Sequence, residues 1–262
     1  MALTGKTPSE TYLDLLYVDN DNNGVSSTLK QVNSGGGSLS SAKLSDRSLE
    51  INSTTNNTTA FNVKNSSGSS RLLVDTTNDE VKALGAHVNT QYAYFGISSG
   101  VAANYVVDTH HPLPFVGNNN SVTLQDNITF GTGTDPATTF TTADGSTTDA
   151  SLLVPLMWFV PDGISIDAVY SLEGLELNGT KTTRMHLFSY TFTSGSTSAL
   201  TSGTLLAHNS DVTNAGSEQA YLSTWTVDSA SVAANKVILA FFRIDSSTDN
   251  PSVSITVKYH LT

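Results

Sequence analysis

The 262-residue sequence contains no cysteine, which excludes disulfides, thiolate zinc sites and cysteine nucleophiles together. Charge is scarce: Asp, Glu, Lys and Arg make up 13% of the chain, about half the ~25% of ordinary globular domains. The balance is acidic, with 23 Asp and Glu against 12 Lys and Arg and a net charge of −11 spread along the chain. Such a surface repels phosphate backbones and lacks the basic stripe that an anionic membrane attracts, so no nucleic-acid partner and no membrane insertion are expected. No stretch approaches the ~18 apolar residues of a membrane span. The opening MALTGKTPSETYLDLLY also lacks the apolar run of a signal peptide, so synthesis is expected in a cytoplasm without a Sec signal.

The missing charge is replaced by Ser, Thr, Asn and Gly. Threonine is β-branched and hydrates well, so this composition suits solvent-facing β-structure. The expected fold class is all-β, in three parts. Residues 1–45 form an N-terminal anchor with a short helix of about ten residues. Thr7-Pro8-Ser9-Glu10 fits a capping box there, and Tyr12, Leu13, Leu16 and Tyr17 follow at helical spacing before Asp19. A lone helix of that length is marginal in water, so Tyr12, Leu13 and Leu16 are expected to dock on a partner.

Residues 46–149 carry short alternating runs between Ser, Asn and Gly turns. TTAFNVKNSSGSSRLLVDTTND, residues 58–79, reads as a hairpin of Ala60–Lys64 and Arg71–Asp75. Each strand offers only two or three apolar groups, too few for a core. Phe61, Val63, Leu73 and Val74 are therefore expected to pack against copies of themselves in an interchain β stalk of a homotrimer. Residues 150–262 are denser, with eight apolar runs, both tryptophans and clean alternation at Ile164, Ile166, Ala168 and Tyr170. Eight strands in roughly 110 residues suggest a jelly-roll-like β-sandwich knob with its own core.

Candidate chemistry is thin. DNDNNG at Asp19–Gly24 opens like a calcium loop, but the twelfth position is Lys30 where the bidentate Glu belongs. His110 and His111 are adjacent, so a strand would aim them at opposite faces. Glu173 and Glu176 are the nearest approach to a glycosidase carboxylate pair, and their spacing fits a strand edge and turn. There is no G-x-S-x-G, no H-E-x-x-H and no phosphate-cradling glycine loop. No catalytic residue, metal or cofactor is expected.

The segment LTGKTPSETYLDLLYVDNDNNGVSSTLKQV resembles one recurrent in structural proteins of tailed bacteriophages, notably marine ones, at Lys6–Tyr12, Asp14–Leu16, Asp19, Asn20, Gly24, Val25 and Thr28–Lys30. AFNVKNSSGSSRLLVDTTNDEVKALG resembles the hairpins of phage fibre stalks. VTLQDNITFGTGTDPATTFTTADG is similar to another segment of such proteins, and WFVPDGISID to VKYHLT looks like their C-terminal knob. The resemblance implies a trimeric fibre or spike on the virion surface, made in the host cytoplasm and released in the particle. It would be held to other virion proteins by its N-terminal segment and would present the knob to a host-surface glycan or protein. A capsid-borne fibre or decoration protein without receptor role is one alternative, and a glycan-cleaving tailspike is another.

Overall fold

Short polar turns and two-residue alternation set the architecture of this chain. A computed structural model describes residues 15–21, 23–97, 108, 110–115, 154–175, 180–195, 200–214, 217–245 and 251–262. They fall into two units, residues 1–88 and 89–262.

The first unit holds two four-stranded antiparallel sheets, each strand pairing with the next in sequence. One contains β1 (Leu16–Val18), β2 (Lys30–Ser34), β3 (Leu39–Leu44) and β4 (Leu49–Ile51). The other contains β5 (Phe61–Lys64), β6 (Ser70–Asp75), β7 (Glu80–Ala83) and β8 (Ala86–His87). Side chains close the turns. Asn65 Oδ1 accepts from the Ser69 N–H at 2.8 Å while Gly68, at φ 83°, donates its N–H to the Asn65 carbonyl at 3.0 Å. Between β6 and β7 the Asp75 carboxylate accepts the N–H groups of Thr77 and Asn78 at 2.9 and 3.0 Å. These hydrogen bonds, the Asn78 side chain foremost, hold the Asp75 carboxyl below the usual carboxylate range. Between β7 and β8 the turn is Leu84-Gly85, both left-handed at φ 53° and 86°, as a tight hairpin requires.

The second unit has two larger antiparallel sheets. The five-stranded one runs β16 (Gln219–Thr224), β12 (Ile164–Leu175), β20 (Ser252–Leu261), β9 (Thr90–Ile97), with β18 (Ser231–Val232) also on β12. The seven-stranded one runs β10 (His111–Leu113), β19 (Lys236–Ile244), β13 (Thr182–Thr191), β14 (Thr201–His208), β17 (Thr226–Val227). In it β11 (Trp158–Val160) joins β19 and β15 (Val212–Thr213) joins β13. Both sheets contribute to one core: Phe95, Val169, Ile255 and Val257 from the first, Met185, Leu187, Ala240 and Phe242 from the second. Strands β13 and β19 are also buried on their reverse face, where Phe188, Tyr190, Leu239 and Phe241 pack with Leu156 and Leu200. This accounts for the near-continuous apolar run KVILAFFRI, since a strand covered on both sides need not alternate. On the edge strand, Gly96 has no room for a side chain: a Cβ there would lie 2.5 Å from the Val253 carbonyl oxygen.

The all-β expectation is met in the described residues, and the finer fold assignment is corrected. Leu16 and Tyr17, placed in the N-terminal helix by their spacing, lie in β1, paired with Ser34 and Asn33. Pairing with β2 supplies backbone partners over three residues, whereas the helix would have had only its own marginal turns. Thr7 to Asp14, with Tyr12 and Leu13, lie outside the described residues. Strands β5 to β8 pair within one chain, which corrects the interchain β stalk: short Asn, Ser and Gly turns satisfy the backbone locally. The jelly-roll knob is corrected to two open sheets, neither closing on itself among the described residues. β9 and β10, which the sequence reading put in the stalk segment 46–149, pair with β20 and β19. The alternation of YAYFGI marks β9 as a strand, but its partner β20 lies far away in the sequence and nothing local names it.

Candidate functional surfaces

In the first unit burial is inverted. The buried described residues there are Asn33, Gly35, Ser45 and Asp75, turn-formers and hydrogen-bonding groups, with no apolar side chain among them. Among the described residues, every buried apolar one lies at Ala93 or beyond. Meanwhile Leu15, Leu16, Tyr17, Leu39, Leu49 and Ile51 are exposed in and beside the first sheet.

The second sheet sorts its residues by face. Register pairs Phe61 with Val74 and Val74 with Val81, and Val63 with Leu72 and Leu72 with Ala83. Successive residues of a strand point to opposite sides, so these six share one face, and it is apolar throughout. Phe61 is 40% exposed and Val63 45%. The opposite face carries Asn62, Leu73 and Lys82 in one cross-strand row. Of the four residues expected to pack together, Phe61, Val63 and Val74 do share a face and Leu73 does not. Leu72 takes its place. The alternation that distinguishes them was available in the sequence, but RLLVD offers two adjacent leucines and only the register decides between them. Leu16, expected to dock with Tyr12 and Leu13, is exposed in β1.

The two units differ in charge. Residues 1–88 carry seven Lys and Arg against nine Asp and Glu, a net −2, and residues 89–262 carry five against fourteen, a net −9. Copies of the first unit can approach one another with little repulsion.

In the second unit the candidate acid Glu173 points into the interior between the sheets, with 1% of its surface exposed. Thr183 Oγ1 donates to Oε2 at 2.6 Å, and Ser171, Ser223 and Asn209 each reach Oε1 at 3.4 Å. The network extends to Trp225, whose indole N–H donates to Ser171 Oγ at 2.9 Å, and to the Met185 N–H, held by Asn209 Oδ1 at 2.6 Å. Burial raises the Glu173 carboxyl above the usual range, and the four hydrogen bonds only partly oppose it. Such a group ties β12 to β13 across the core, and Glu173 also borders an open hollow with Leu172, Gly174, Ala220 and Ser252. Glu176 lies outside the described residues.

The adjacent histidines diverge. His111 pairs with Phe242 in β10, while the His110 ring packs edge-on against His186 with centroids 5.0 Å apart. All three are buried, and His208 continues the row at 6.4 Å from His186, its Nδ1 2.7 Å from the Asp228 carboxylate. In the DNDNNG loop the Asn20 amide donates to the Gly24 carbonyl at 2.7 Å and the Asn23 N–H to the Asn20 carbonyl at 2.8 Å, so the loop is closed by its own amides. Compared with known proteins, the chain matches no family model and no curated sequence.

Proposed function

We propose that this chain is a non-catalytic structural appendage of a virus particle, a fibre or spike that assembles as a homotrimer through its first unit and presents its second to the host surface. One observation carries the reading. Two sheets built from residues 15–88 bury no apolar side chain among the described residues and expose large ones along whole faces. Ordering a residue costs on the order of 1–2 kcal/mol, and buried apolar area is the main term that offsets it, at ~25 cal/mol per Å2. A unit with no such burial needs its faces covered. A nearly neutral face of Phe, Val, Leu and Ala is suited to covering by its own copies, and three around an axis triple the apolar groups per layer. The resemblance of the K-T-P-S-E-T segment and the hairpins to phage structural proteins supplies the setting: virion surface, with other virion proteins as partners of the N-terminal segment and a host glycan or protein as partner of the second unit. The interior position of Glu173 favours binding over glycan cleavage.

Native mass measurement at micromolar concentration tests the assembly, with trimer as the expected result. Val63→Asp puts a charge on the apolar face and is expected to dissociate the trimer. Asn62→Asp adds the same charge one residue away on the other face and is expected to leave it intact. A wild-type monomer, or equal effects of the two variants, would overturn the reading.

A further inference from the structure

The outward face of the five-stranded sheet forms a second surface, which none of the described residues of the second unit covers. Register lines up Thr224, Tyr170, Thr256 and Tyr94 across β16, β12, β20 and β9. The next row is Leu222, Leu172, Ser254 and Gly96. Leu222 is 73% exposed, Leu172 58%, and Tyr94, Tyr170 and the neighbouring Tyr92 are exposed as well. At the edge of the second row, Leu172, Glu173, Gly174, Ala220, Ser252 and Ser254 line a hollow of about 420 Å3. The two rows carry no carboxylate, ammonium or guanidinium, although Glu173 lines the hollow, Lys258 stands in the adjoining row between Ala168 and Tyr92, and the unit carries a net −9.

From this geometry we infer that the face is a contact between copies of the second unit, separate from that of the first unit; the inference rests on the homotrimer reading above. Charge selects the occupant. Three acidic units brought together repel, and two rows of exposed uncharged side chains are where they can meet at least cost. Shape agrees with cyclic symmetry, in which a ridge on one copy meets a different surface, here the hollow, on the next. With strands ~4.8 Å apart and same-face residues ~7 Å apart, the two rows together with the row of the hollow span roughly 400 Å2. That is about half of the ~800 Å2 that each partner contributes to a standard interface. The face therefore supplements the first unit's contact and does not replace it.

The absence of cysteine makes a placed probe unambiguous. Ser254→Cys, labelled with a maleimide benzophenone and irradiated, is expected to link chains covalently at micromolar concentration. Ser210→Cys, exposed after β14 on the other sheet, is expected to give none. The double variant Tyr94→Glu/Leu222→Glu alters only exposed side chains and is expected to raise the dissociation concentration at least tenfold with unchanged circular dichroism. If native mass shows a wild-type oligomer while Ser254→Cys fails to link and the double variant associates normally, this inference falls and the assembly reading stands. A wild-type monomer overturns both.

Discussion

At the residue scale, Glu173 separates what a sequence can and cannot say about a carboxylate. Its position in SLEGLEL marks a strand, and nearby Glu176 invites a catalytic pairing. Whether the side chain faces a groove or the interior depends on which sheet covers β12, and that is set by strands far away in sequence. The buried carboxyl has a raised pKa from burial, so the folded state holds its proton more tightly than the unfolded chain does. The stability this group contributes is fully present below its unfolded pKa of about 4.3. It is lost as pH rises from there through the raised folded value. Glu173→Gln keeps the shape and removes the titration. Thermal unfolding should show a smaller loss of Tm between pH 4 and pH 7.5 in the variant than in the wild type, with the variant the more stable at the upper pH. An equal loss in both would mean that the carboxyl titrates alike in the folded and unfolded chains.

At the element scale, the turns were the legible part and the strand edges were not. Asn65 to Ser69 and Asp75 to Asp79 announce hairpins through side chains that bond their own backbone, and the β5–β6 hairpin lies where those clusters place it. β1 was hidden as a strand, and β9 was legible as a strand but not in its pairing. The spacing of Tyr12, Leu13, Leu16 and Tyr17 satisfies a helical period, and a three-residue strand carries no period of its own. In β9, Ala93, Phe95 and Ile97 alternate inward, but an edge strand of that composition does not tell which sheet it joins. The Leu84-Gly85 turn conflicts with local preference. Leu84 holds φ at 53° with its side chain exposed, a conformation that costs a residue with a Cβ about 1–2 kcal/mol. Asparagine tolerates it far better, and Asn-Gly is a preferred pair for this hairpin. Leu84→Asn should therefore stabilise the assembled protein by about 1 kcal/mol, read as a higher Tm in thermal unfolding. A lower Tm would instead reveal a contact made by the leucine across copies.

At the scale of the whole molecule, the thinness of the first seventy or so strand-forming residues was visible in the sequence, as was the richer core of the C-terminal part. The difference in charge between the units follows from the same sequence but has meaning only once the division at Val88 is known. Three copies would gather three second units of −9 each, and the few cations there are engaged in part at home. Arg184 pairs with Asp211 through two contacts at 2.5 and 2.6 Å, and Arg243 pairs with Asp108. Little positive charge remains to bridge neighbours, so in the proposed trimer apolar faces would have to hold the copies together against a net repulsion. Salt acts on the two terms unequally. Raising ionic strength from about 0.01 M to 0.15 M shortens the screening length from about 30 Å to 8 Å, which weakens repulsion between whole units while leaving apolar contact in place. The concentration at which the oligomer dissociates should therefore fall several-fold with added salt, measured by sedimentation or native mass across a dilution series. Intersubunit ion pairs would give the opposite slope, and a rising dissociation concentration would show that the copies meet through charge instead of through the uncharged faces.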